Sequence, residues 1–407
     1  MSATTEQVAD VDPARWRMLA ALSLAELLGM SLWFAASAVA SDLGHRWSLD
    51  ASGIGWLTSI VQLGFVVGTA LAAVLNLADI VPSRWYFAGA ALAAAIVNAA
   101  LAITDSYSTA LALRFATGFF LAGVYPPAMK MAATWFRDRR GLAIGTVVGA
   151  LVIGKSTPYF VHAFPSASPT TVILVASAGA VCAALLIATS YRDGPYAFAA
   201  RPFSMKLIGT VTASREWRLA TGGYLGHMFE LYSFWTWIPA FTAASLAVTM
   251  PGQRSGLVSI IAFFAIAVGG IGSVWGGLAA DRRGREWLVI VAMLASGSCA
   301  LLAPVVFGRA LPLLVVIALV WGFFVVADSA QFSALVTESV PSHAVGTALT
   351  IQTSLGFLLT MVSIQLVPPL VQVTGWKWAF PMLALGPAFG VMSIRRLMRA
   401  REQARGS

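Results

Sequence analysis

The chain has 407 residues, 58% of them apolar and 11% charged, with a mean hydropathy of +0.80. A soluble fold of this length cannot hide so much apolar surface, so lipid must be the solvent for much of it. The net charge of +9 is the kind that nucleic-acid binders carry, but here the basic residues fall between apolar runs, and no nucleic-acid partner is expected.

Residues 1–15 are polar and acidic (Glu6, Asp10, Asp12), lack a basic start, and do not read as a signal peptide. Twelve apolar spans follow, at about 16–40, 52–75, 84–103, 109–133, 140–163, 170–190, 217–246, 256–280, 287–307, 311–337, 345–370 and 375–398. Each is near the ~20 residues that cross hydrocarbon as a helix. The runs are continuous rather than alternating, which excludes membrane strands. Pro126-Pro127, Pro158, Pro239 and Pro368-Pro369 predict kinks. Cys182 and Cys299 both lie in apolar runs and offer neither a disulfide framework nor a metal motif, so no cofactor or metal is expected.

With the N-terminus inside, 19 of the 26 Lys and Arg residues fall in cytoplasmic segments and four (Arg46, Arg254, Arg309, Lys377) outside. Arg114, Lys130 and Lys155 remain within spans. This bias predicts both termini in the cytoplasm. The longest polar interruption, 191–216, divides the chain into six-span bundles at 16–190 and 217–398, with tails at 1–15 and 399–407. The halves repeat. Glu26-Leu27 and Glu230-Leu231 are 204 residues apart, each Glu followed seven positions later by a Trp (Trp33, Trp237). Gly118-Phe119-Phe120 matches Gly322-Phe323-Phe324 at the same offset, Asp79 matches Asp281 at 202, and Gly141 matches Gly346 at 205. Together these predict an all-α membrane protein of twelve transmembrane helices in two pseudo-symmetric six-helix bundles around a buried acidic pair.

Gly277-Leu278-Ala279-Ala280-Asp281-Arg282-Arg283-Gly284-Arg285 resembles the loop between the second and third helices of a half in the major facilitator superfamily. Arg114-Phe115-Ala116-Thr117-Gly118 and Arg140-Gly141-Leu142-Ala143-Ile144-Gly145 are similar to that family's fourth-helix motif and fifth-helix start. The resemblance covers nearly the whole chain. It implies a gate latch at Gly277, Asp281, Arg282, Gly284, Arg285 and Arg140. The first-half copy keeps Asp79 and Arg84 but has Pro82-Ser83 where the pattern has Arg-x-Gly. The family's antiporter signature in the fifth helix is absent; Lys155-Ser156-Thr157-Pro158 follows the glycines there. Tyr125-Pro126-Pro127-Ala128-Met129-Lys130 is similar to stretches in small-anion and monocarboxylate-type members. In the family, the first, fourth, seventh and tenth helices line the central cavity, and most of the buried ionisable residues fall on their counterparts.

Ionisable groups within a membrane are expensive, which makes each a candidate for function. Glu26, Glu230, Asp328 and His227 are the candidate proton-coupling residues, the bland alternative being static ion pairs with Arg114 or Lys155. His227 lies three residues before Glu230, on the same helical face. Lys155, some 24 Å along its helix, is a candidate anion ligand. Arg114 is either a second ligand or the family's structural arginine. Trp33, Tyr232 and Trp237 are candidate walls of a substrate site, and Gln331 and Gln352 its polar contacts. The expected function is a secondary transporter of the bacterial inner membrane. It acts as a monomer by alternating access, moving a small polar or anionic solute in symport with protons. Efflux of an amphipathic or cationic compound is the alternative, and a non-transporting sensor the second. No Walker-type loop supports ATP as the energy source, and the four scattered histidines supply no enzyme centre.

Overall fold

The structure is a computed structural model that describes residues 12–137, 139–196, 203–252 and 255–406. Twelve long helical segments cross it: α1 Ala14–Ala38, α2 Ala51–Val74, α3 Ser83–Ile103, α4 Tyr107–Ala133, α5 Arg140–His162 and α6 Pro169–Ser190, then α7 Arg215–Thr249, α8 Ser255–Arg283, α9 Arg285–Val306, α10 Leu311–Glu338, α11 Ser342–Thr374 and α12 Leu385–Gly406. Ten have a membrane-length apolar window. The other two are α7, which carries His227 and Glu230 in its middle, and α12, whose second half holds Arg395, Arg396, Arg399 and Arg401.

The pairing of helices repeats between halves. In the first, α1 packs on α5 and α6, α2 on α4, and α3 on α4 and α6. In the second, α7 packs on α11 and α12, α8 on α10, and α9 on α10 and α12. The halves meet along α5–α8 and α2–α11. Glycine permits the tightest crossings, because a side chain there would occupy a neighbouring backbone. A Cβ at Gly118 of α4 would collide with the Val61 carbonyl of α2, and one at Gly322 of α10 with the Ala265 carbonyl of α8. Both members of that pair are shifted by 204 residues, so the sequence repeat is a repeat of one interface.

Three helices are broken where the centre needs it. α1 tightens into a 3₁₀ turn at Ser31–Phe34. α4 breaks between Leu121 and Tyr125, where Pro126-Pro127 start the next segment rather than kink one. α10 breaks at Asp328, which is Val124 plus 204.

Several expected boundaries differ. The sequence places the start of the twelfth span at 375, but Gly375 has φ 73° and short 3₁₀ turns occupy Trp376–Trp378 and Pro381–Ala384 before α12 begins. The aromatic run there is apolar without being a long helix. α12 also takes in 399–406, which by sequence belong to a tail. The linker holds a short helix at Ile208–Ala213, and its start docks on α4, where Gly194 N–H donates to Thr134 Oγ1 at 3.0 Å. Residues 1–11, Arg201, Arg254 and the side chains of Asp79 and Arg405 lie outside the described residues.

Candidate functional site

The 3₁₀ turn of α1 aims Trp33 and Phe34 inward at the level of Lys155 on α5. Lys155 Nζ lies 4.0 Å from the Trp33 ring centroid, 4.8 Å from Tyr232 and 5.3 Å from Trp235, and donates to Tyr232 Oη at 2.5 Å. Phe65 of α2 and Phe357 of α11 close the other side, 4.7 Å apart, with Trp33 at 5.1 and 5.7 Å from them. Aromatic faces are negative, so they favour an ammonium held among them. All these groups are buried. The centre thus combines one cation with rings from α1, α2, α7 and α11.

Glu26, two turns before Trp33, is fully buried, and neither carboxylate oxygen has a hydrogen-bond partner. Lys155 is the charge that acts on it, and Tyr125 of α4 feels the same carboxylate. Of the rings around Lys155, Trp33 and Trp235 also have unpartnered Nε1 donors. Buried polar groups are almost always paired, so the two indole donors beside Lys155 and the Glu26 carboxylate single out the centre as a candidate site.

Glu230 turns elsewhere. It accepts from Ser296 Oγ of α9 at 2.7 Å and from Trp321 Nε1 of α10 at 2.8 Å. The expected acidic pair is therefore two separate sites, one in each half. Counting back 204 residues explains why: Leu92 and Thr117 stand where Ser296 and Trp321 would be, so Glu26 has no donors. Lys155 is equally one-sided, since its counterpart is Leu359. Near Glu230, His227 Nδ1 lies 2.9 Å from Asp328 Oδ1, and His227 Nε2 lies 3.2 Å from Ser329 Oγ. The Asp328 oxygen is at ion-pair distance but not in hydrogen-bonding direction. Three of the four proton-coupling candidates thus gather in the second half.

Arg114 is used up by the backbone. Its Nη1 donates to Leu32 O at 2.9 Å and its Nε to Leu57 O at 3.2 Å, and Nη2 bonds Trp33 O. It ties the carbonyls of the 3₁₀ turn to α2 and α4, the geometry of the structural alternative for Arg114. Trp237 is not at the centre either. Its Nε1 donates to Ile364 O at 2.9 Å, and it borders an outer vestibule of about 440 Å³ with Tyr159, His162 and Trp376. Trp33 and Tyr232 both lie against Lys155. Gln352 is buried with Nε2 unpartnered; Gln331 is buried on the inner segment of α10. Phe65, Phe357 and Tyr159 escape the sequence reading, because a lone aromatic residue in an apolar helix has no signature of its own.

At the arginine-rich end, the Asp281 carboxylate abuts Gly141 in the first turn of α5, which starts at Arg140, and Gly277 faces the same glycine. Gly284 makes the turn into α9 at φ 92°. Arg285 Nη1 pairs with Glu338 at 3.2 Å. Arg401 of α12 reaches Glu286, Glu216 and Glu338 at 2.7, 3.2 and 3.6 Å. Arg282 and Arg283 border a groove with Trp275 and Trp287. In the first-half copy, Arg84 stacks on Trp85 at 4.7 Å.

The sequence profile of the Major Facilitator Superfamily matches residues 19–364. Among solved structures, a point mutant of the nucleoside transporter NupG has a TM-score of 0.71 at 15% identity, covering 93% of this chain and 99% of its own. A bacterial homolog of the human lysosomal transporter Spinster, inward-facing and unoccupied, has a TM-score of 0.68 at 15% identity, covering 95% of this chain and 94% of its own. The same homolog, inward-facing and occupied, has a TM-score of 0.68 at 15% identity, over 96% and 97%. At such identity the likeness is one of fold. No curated protein sequence matches the chain.

Proposed function

The chain belongs to the major facilitator superfamily, and from that premise we propose that it is a proton-coupled symporter of a small anionic solute, working by alternating access in the bacterial inner membrane. Lys155 takes the anion, and Glu26 carries the proton. The observation that carries this reading is a lysine amine of α5 caged by aromatic rings, with a fully buried carboxylate of α1 that has no hydrogen bond.

The coupling follows from charge balance. An unpaired ion in a desolvated centre costs several kcal/mol. The empty centre is neutral when Glu26 is ionised and Lys155 protonated. An anion arriving at Lys155 leaves one net negative charge unless a proton neutralises Glu26. Loaded with both, the centre is neutral again and the halves can rock about it. Occupancy by one without the other is the costly state, which ties the two fluxes together at one proton per unit charge. Glu230, whose two oxygens each accept a bond, and the His227–Asp328 pair are assigned to proton passage within the second half.

Proteoliposomes test this. With an inward proton gradient, Glu26→Gln is expected to lose driven uptake by at least about tenfold while keeping solute counterflow, because exchange of loaded carriers needs no proton movement. Driven uptake at the wild-type rate would overturn the assignment. A second reading, efflux of an amphipathic cation, is favoured by one observation: the rings that cage Lys155 suit any ammonium. It requires proton-driven export of amines, measured in inverted vesicles.

A further inference from the structure

We propose that the solute is a single-ring aromatic carboxylate, recognised by its ring as much as by its charge; this rests on the anion reading above. The carboxylate pairs with Lys155 Nζ, and the ring packs among Trp33, Phe65, Tyr232 and Phe357. Charge alone does not call for this architecture. A site for an inorganic or short aliphatic anion needs a cation and a few donors, and gains nothing from rings drawn from four helices.

The rings are set at angles that suit a flat guest. Neighbouring pairs are tilted rather than parallel: 59° for Trp33–Phe65, 58° for Tyr232–Phe357 and 71° for Tyr232–Trp235. Tilted rings present edges and faces at several angles, and a flat ring inserted among them meets edge-to-face partners. A saturated ring of equal size meets the same surfaces without that preference. The hydrogen-bonding inventory points the same way. Trp33 Nε1 and Trp235 Nε1, on two of the rings around Lys155, are fixed donors without acceptors. Indole N–H groups can only donate, so the solute that completes the centre brings acceptors: its carboxylate, and an oxygen or nitrogen on or in the ring.

The test uses the purified full-length protein in detergent, with calorimetric titration at one pH of benzoate, cyclohexanecarboxylate, acetate and benzylamine. Benzoate is expected to bind about tenfold more tightly than cyclohexanecarboxylate, from one or two edge-to-face contacts. Acetate is expected to bind more weakly than both, and benzylamine not at all. Phe357→Leu keeps apolar volume but removes one of the rings; it is expected to weaken benzoate binding more than cyclohexanecarboxylate binding and so narrow the ratio between them. Equal binding of the two ring carboxylates overturns the aromatic assignment and leaves the anion reading standing. Binding of benzylamine but no carboxylate overturns both. No binding of any of the four, by protein whose cooperative thermal unfolding certifies its fold, overturns the aromatic assignment.

Discussion

Arg114 illustrates how one residue sets the shape of a site it does not enter. The 3₁₀ turn at Ser31–Phe34 turns Trp33 and Phe34 toward the centre and presents the carbonyls of Trp33 and of Leu32, which also accepts from the Ala35 N–H. Arg114 supplies donors to both and to Leu57 O, and Asn98, 3.4 Å from Nη1, continues the network to Ser177 of α6 at 2.9 Å. Arg114→Met removes every donor but keeps much of the stem. Each buried acceptor left unpaired costs about 1–3 kcal/mol, so thermal unfolding in detergent should fall by many degrees, and transport should fail for every solute alike. A variant of wild-type stability with altered solute preference would instead make Arg114 a ligand. That Arg114 mattered was legible in the sequence, since a buried arginine in a membrane helix demands partners. Which partners was not, because a 3₁₀ turn that presents two carbonyls to a neighbouring helix leaves no mark in Ser-Leu-Trp-Phe. Glu26 and Glu230 teach the same lesson: their local sequences match, and their fates differ through residues on other helices.

At the scale of helices, the repeat was legible because it is enforced by backbone contact. Gly118 and Gly322 lie at α2–α4 and α8–α10 crossings where a Cβ would overlap a carbonyl. Gly322→Ala is expected to force α10 off α8, lowering the yield of folded protein severalfold, with Gly118→Ala doing the same to the first half. Gly89 of α3 is the control, since nothing lies within 4 Å of a Cβ there. Gly89→Ala should be neutral or slightly stabilising, by at most about 1 kcal/mol. Size-exclusion profiles of the three variants decide it; a well-folded Gly322→Ala would mean the crossing is looser than its geometry. Helix starts were less legible than helix existence. Trp376–Phe380 reads as the opening of α12 because hydropathy sees apolar side chains and not the 3₁₀ turns they adopt.

For the whole molecule, the question is what holds the two halves in one arrangement and lets them exchange for another. Along α5–α8 they touch at both ends: His162 Nδ1 lies 2.9 Å from Ser259 Oγ on the vestibule side, and Asp281 abuts Gly141 on the arginine-rich side. The second-half network of Arg401 with Glu216, Glu286 and Glu338 cross-links α7, α9, α10 and α12 at that end. Among the contacts that must break for that end to open are Asp281 on the first turn of α5 and the bond from Ser273 Oγ to Gly145 O at 3.4 Å. A carboxylate at a helix N-terminus contributes about 0.3–1 kcal/mol, which corresponds to a shift of up to about fivefold between closed and open arrangements. Asp281→Asn is expected to move the population by that factor toward separation at the arginine-rich end, read as longer distances between spin labels on the inner ends of α4 and α10. Solute affinity at the centre should change little, because Lys155 and its rings lie a helix-half away, while the maximal transport rate should fall as the closed state grows rarer. Unchanged distances would leave the α5–α8 glycine packing, Gly149 on Gly270, as the contact that sets the equilibrium, and Gly270→Ala would then be the variant that shifts it.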